Sequence, residues 1–152
     1  MYQYDEFDTK LTADGHVVVF HDDTLERTTG GSGTVAETTL ADLRALDAGS
    51  WFDAAYAGQR VPTLKEAMET LARLGLGAVV EIKPSPGRER ETGLAVAGTL
   101  AAVIDQPSGV YLFRVNGPRA PTALGHHPAT DVPARSASVA TDDRLYVVYD
   151  RT

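Results

Sequence analysis

Cysteine is absent from this 152-residue chain, so it can carry neither a disulfide framework nor a thiolate metal site, and thiol usage says nothing about its redox compartment. No run of about 18 consecutive apolar residues occurs, which predicts no membrane span. The opening MYQYDEFD lacks the basic and apolar regions of a secretory leader, so the chain reads as unexported and cytoplasmic. Basic residues are scarce too: 14 stand against 21 acids, for a formal charge of -7. That balance argues against a nucleic-acid partner and favours solubility, but it names no substrate. The glycine-rich TTGGSG at 28–33 lacks the Gly-Lys-Ser/Thr ending of a phosphate-cradling loop. No strong helix follows it, and it reads as a flexible or structural loop. Length is short as well. A single domain of this size buries about 68–70 % of its extended-chain surface, whereas a complete eight-fold βα barrel takes about 250 residues and seldom fewer than about 200.

What is present begins at Tyr4–Asp22, YDEFDTKLTADGHVVVFHD. Side chains alternate along a strand, so Glu6 and Asp8 share a face and could grip one cation. The same alternation puts Phe7 and Leu11 on the packing side and Tyr4, Glu6, Asp8 and Lys10 on the other. Ala13-Asp14-Gly15 is a turn signal that predicts a hairpin-like pairing of residues 3–11 with His16–Phe20, and the second strand delivers His21 at its end. Further on, AVVEIKP at 78–84 predicts a strand on which Glu81 and Lys83 share a face. Three carboxylates, an imidazole and an ammonium thus fall on strands or strand ends, where barrel and open α/β enzymes keep their chemistry.

Between and after these strands the pattern is helical. Thr39 can cap a short helix over Leu40–Leu46, and Thr63 with Glu66 forms a capping-box pattern ahead of a helix ending at Gly75. Its expected buried face is Leu64, Ala67, Met68, Leu71 and Leu74. Arg88–Ile104 predicts another helix, with Leu94, Val96, Ala97, Leu100 and Val103 available for packing, and Gly109–Phe113 another strand. Alternating strands and helices over 40–113 predict a parallel α/β sheet. Residues 114–152 differ: they contain no lysine, glutamate, isoleucine or methionine but four of the eight prolines, and only LYVVY at 145–149 has strand character. We therefore read 1–113 as the domain and 114–152 as an atypical, irregular tail, consistent with a truncated product read out of frame.

Each feature also has a plainer reading. A Glu-x-Asp pair on a strand is more commonly a solvated face, and a lone histidine a hydrogen-bonded structural one. Glu81 and Lys83 could form only a salt bridge within a strand. His126-His127 resembles a metal pair, but adjacent side chains diverge and the surrounding prolines suggest irregular chain, so it reads as incidental. Trp51 and Phe52 read as packing residues or as the lining of a pocket.

Taken in order, EFDTKLTADGHVVVFHDDTLERTTGGSG, LADLRALDAGSWF, VPTLKEAM and EIKP resemble the glycerophosphodiester phosphodiesterase family over roughly residues 2–113. The resemblance implies a partial, incomplete (β/α)8 TIM barrel of the phosphatidylinositol-phosphodiesterase-like type. It implies that Glu6, Asp8 and Glu81 hold one divalent cation, Ca2+ or Mg2+, that His21 is one of two catalytic histidines, and that Lys83 lies beside the phosphate; by its place near the strand ends, Trp51 could line a pocket for the glycerol end. The implied reaction is hydrolysis of a small glycerophosphodiester to glycerol 3-phosphate and an alcohol, with no nucleic-acid partner. The family's His-Arg and Glu-Asn elements precede its Glu-x-Asp strand and are not found before Glu6. Loss of one acid-base partner typically costs about 100- to 10,000-fold in rate, so low activity is expected, and unpaired edges of an incomplete barrel invite self-association. The competing readings are a non-catalytic cation- or phosphate-binding module, a remnant without function, or another metal-dependent α/β hydrolase.

Overall fold

The computed structural model describes residues 4–104, 111–115, 136–140 and 144–148. Strand β1 (Tyr4–Leu11) pairs antiparallel with β2 (Val17–Val19), as the Asp14-Gly15 turn predicts. Gly15 has φ 84°, a conformation open to glycine at no steric cost. A one-turn helix α1 (Glu26–Thr29), α2 (Leu40–Ala45) and α3 (Leu64–Leu74) follow, then β3 (Gly77–Ile82), α4 (Glu89–Ile104), β4 (Tyr111–Val115), β5 (Ser136–Ala140) and β6 (Arg144–Val148). The main sheet has the order β2-β1-β3-β4, with β3 parallel to both β1 and β4.

Local chemistry sets the helix ends. The Thr39 side chain accepts a hydrogen bond from the Asp42 amide at the start of α2, and Thr63 and Glu66 complete a reciprocal capping box on α3. Gly75 ends α3 with φ 69°, where a side chain would be strained.

Period-two alternation then sorts the faces. Leu11 of β1 and Ala78, Val80 and Ile82 of β3 pack with Leu64, Met68 and Leu71 of α3 and Val96 and Leu100 of α4. A second cluster, Val18, Phe20, Leu25, Val35, Leu43 and Val61, lies under the loop between β2 and α3. The helices thus cover one face of the sheet, and Glu6, Asp8, Lys10, Val79 and Glu81 belong to the other.

Several expectations need correcting. Leu74 is 65 % exposed and Leu94 51 % exposed. At 3.6 residues per turn Leu74 sits about 80° around α3 from Leu64, at the edge of the stripe, and Leu94 about 160° around α4 from Val96. Lys10, grouped with the open polar face, is only 1 % exposed. The outer edge of β2 is not bare, because the Val19 amide donates to the Pro62 carbonyl at 3.0 Å and Val18 bridges Thr63. The strand expected over Gly109–Phe113 runs instead over Tyr111–Val115, where Arg114 and Val115 keep register with Glu81 and Ile82. In the tail, β5 and β6 pair as an antiparallel hairpin. Strand β6 overlaps the LYVVY segment, whereas β5 is built from Ser136–Ala140, whose small residues carry little strand propensity. His126-His127, Val103's side chain and the rest of the tail lie outside the described residues.

Candidate active site

Parallel pairing of β1 with β3 sets Asp8 opposite Glu81, with Glu6 two residues back on the same face. The consequence is convergence: oxygens of Glu6, Asp8 and Glu81 all lie within 4.8 Å of one another. Like charges so close repel unless a cation or proton intervenes. An all-oxygen set of three carboxylates suits a hard divalent cation, so the residues fit the ion that the sequence implies.

The other two expected residues lie beside this cluster. Lys83, just past β3, places Nζ 3.5 Å from Asp8 Oδ1 and 2.7 Å from His21 Nε2. His21 follows β2 and turns Nδ1 to within 2.6 Å of Asp22 Oδ1. A carboxylate only accepts and an ammonium only donates, so these neighbours select the tautomer with hydrogen on Nδ1 and the lone pair of Nε2 facing Lys83.

Asp22 is itself held. Arg27 donates to both of its oxygens, at 2.5 Å and 2.9 Å. That guanidinium, followed by the bond from His21, keeps the Asp22 carboxyl well below its ordinary range. The same guanidinium lies over the Trp51 ring, 5.6 Å from its centroid, a favourable cation–π placement. Trp51 Nε1 donates to the Ala48 carbonyl at 2.9 Å. A cleft of about 400 Å3 lined by Glu6, Asp8, His21, Arg27, Trp51 and Arg60 runs from the acidic cluster to the indole. That volume is within the range of small-molecule sites.

All five residues expected from the strands come together, and Trp51 lines the same cleft. Asp22, Arg27 and Lys10 were not anticipated. For Asp22 the sole signal available was an acid immediately after the histidine. Glycine-rich 28–33 is a tied loop, not a phosphate cradle: the Leu25 amide donates to the Gly33 carbonyl at 3.0 Å and the Gly33 amide to Glu26 Oε1 at 3.0 Å. Among the described residues the other histidine, His16, stands at the opposite end of β2 and approaches Asp14 at 3.8 Å.

Residues 2–106 match the glycerophosphoryl diester phosphodiesterase family. Bacillus subtilis YhdW is 39 % identical over 132 residues, 81 % of this chain and 54 % of that protein. The glycerophosphodiester phosphodiesterase of Caldanaerobacter subterraneus is 46 % identical over 78 residues, 51 % of this chain and 32 % of that one. Among solved structures, an Oleispira antarctica phosphodiesterase in complex with the product sn-glycerol-3-phosphate superposes with TM-score 0.69 at 42 % identity, covering 74 % of this chain and 45 % of that one. Glycerophosphodiester phosphodiesterase from Agrobacterium tumefaciens gives TM-score 0.59 at 30 % identity, over 76 % of this chain and 46 % of that one. The chain therefore spans between about a third and about half of the length of these relatives, and its sheet is part of their TIM barrel. No described helix is long and apolar enough to cross a membrane. On the family match over residues 2–106 and the shared barrel architecture, this chain belongs to the glycerophosphoryl diester phosphodiesterase family.

Proposed function

We propose that the chain carries a cation-dependent site for glycerophosphodiesters, cleaving them to glycerol 3-phosphate and an alcohol at a reduced rate. The observation that carries this reading is the meeting of Glu6, Asp8 and Glu81 within 4.8 Å, with the His21–Lys83 pair alongside. Those three carboxylates would hold one Ca2+ or Mg2+ ion, and the chemistry such an ion supplies when bound is neutralisation of charge on phosphoryl oxygens.

The remaining work falls to the protein's own side chains. Lys83 directs a positive charge at the phosphate from beside Asp8 and His21. His21 exchanges a proton through Nε2, while Asp22, fixed by Arg27, holds the ring's Nδ1–H. Trp51 offers an apolar surface to the glycerol end. Reduced turnover follows because general acid and general base are normally two groups, and His16 is at the wrong end of β2 to serve as the second among the described residues.

Release of glycerol 3-phosphate from glycerophosphocholine, measured with Mg2+ or Ca2+ and again with EDTA, tests this. Slow release abolished by EDTA is expected. No release under any condition, or release indifferent to EDTA, would contradict it.

A further inference from the structure

We propose that Lys10 is a positioning residue: its buried ammonium clasps the His21 loop to the end of β3 and thereby sets the His21–Lys83 contact. The catalytic meaning of that contact rests on the function proposed above; the clasp itself does not. Lys10 lies two residues beyond Asp8 on the same face of β1, and its side chain is 1 % exposed, against 65 % for Lys65 and 34 % for Lys83. Taking an ammonium out of water is costly, and well-packed apolar residues often replace buried ion pairs without loss of stability. What a lysine adds is direction.

Its Nζ lies 2.6 Å from Asp23 Oδ1 and 3.2 Å from the Lys83 carbonyl oxygen. Asp23 is two residues past His21, and the carbonyl belongs to the residue whose ammonium meets His21. One cation therefore ties together the two segments that carry the pair. Neighbouring backbone bonds reinforce the junction, with the Phe20 amide donating to the Asp8 carbonyl at 3.0 Å and the Lys83 amide to the Thr9 carbonyl at 3.1 Å. Those bonds are indifferent to sequence, so the side-chain clasp is the part a substitution can remove. Lys10→Met keeps most of the stem volume and deletes the donor. Asp23→Asn deletes the partner's charge at a side chain 59 % exposed.

The test uses the full chain labelled with 15N, as wild type, K10M, D23N and the double variant. Long-range 1H–15N correlation of the His21 ring reads its tautomer without any ligand. In the wild type a single form with hydrogen on Nδ1 is expected, and in K10M and D23N both ring nitrogens should move to averaged shifts. Glycerol 3-phosphate affinity in the presence of Mg2+ should fall about tenfold in each variant, and the double variant should be no worse than K10M, because K10M already removes the Lys10–Asp23 contact that D23N weakens. Variants that melt earlier yet keep the wild-type ring shifts would overturn the clasp. If K10M does not fold, D23N decides alone by the same readout. A wild type that binds no glycerol 3-phosphate would sink the proposed function, and the ring shifts would still decide the clasp.

Discussion

The Nε2 atom of His21 and the Nζ atom of Lys83 meet at 2.7 Å, although 62 residues separate them in the chain. The contact exists because β2 and β3 flank β1 and, although they run in opposite directions, both leave it at the same level, with the Phe20 amide on the Asp8 carbonyl and the Lys83 amide on the Thr9 carbonyl. It puts an imidazole and an ammonium together, with the ammonium 3.5 Å from Asp8 of the acidic cluster.

The first expectation follows from that charge. Hydrogen bonds to charged groups contribute about 1.5–3 kcal/mol, so Lys83→Met should weaken glycerol 3-phosphate binding by roughly 10- to 100-fold. Calorimetric titration in Mg2+ measures this. Unchanged affinity would mean that Lys83 does not face the phosphate.

Removing the orienting acid should act differently. Asp22→Asn replaces an acceptor pair with an amide, leaving the His21 Nδ1–H and the Arg27 guanidinium without their shared carboxylate. Turnover should fall while affinity for Mg2+ stays within about twofold, since Asp22 lies outside the acidic cluster. Equal losses in both would place Asp22 with the cation ligands.

How much of this could be read before the fold was known depends on how local each feature is. The pairing of Glu6 with Asp8 follows from strand alternation, and the Thr63–Glu66 capping box from a four-residue pattern. Convergence with Glu81 depended on register, which sequence alone does not state, yet the family pattern supplied it. Lys10 was illegible because its burial comes from Asp23 and the Lys83 carbonyl, groups on other segments. Leu74 and Leu94 were overread for the opposite reason: being apolar within a helix does not place a residue on its covered stripe. Strand β5 had no signal, since Ser136–Ala140 contains one β-branched residue.

The helix stripe gives a stability test. Met68 is 0 % exposed within the core that joins α3 to β3, whereas Leu74 is 65 % exposed. Met68→Ala should cost about 2–5 kcal/mol, and Leu74→Ala should stay within about 0.5 kcal/mol. Denaturant unfolding of the two variants compares them, and equal costs would show that the stripe is misassigned.

Acid sensitivity should include a contribution from Glu66. The Arg44 guanidinium beside it, followed by the Thr63 amide, lowers its carboxyl from 4.5 to about 2. A lowered value means that the folded state resists protonation, so this stabilisation is complete above about pH 4.5 and is lost as pH falls toward 2. The side chain is 47 % exposed, so solvent screening limits the effect to at most about 1 kcal/mol. Glu66→Gln should flatten the fall of melting temperature across that window. A variant with the wild-type pH dependence would assign acid sensitivity elsewhere.

The most direct test of the central claim, one divalent cation held by Glu6, Asp8 and Glu81 beside His21 and Lys83, is substoichiometric Mn2+ added to the 15N-labelled chain. Paramagnetic broadening should strike Glu6–Thr9, His21 and Glu81–Lys83 first, reverse with excess Mg2+ or Ca2+, and vanish in Glu81→Gln. Broadening centred elsewhere, such as around Asp47, or unchanged by that substitution, would contradict the account.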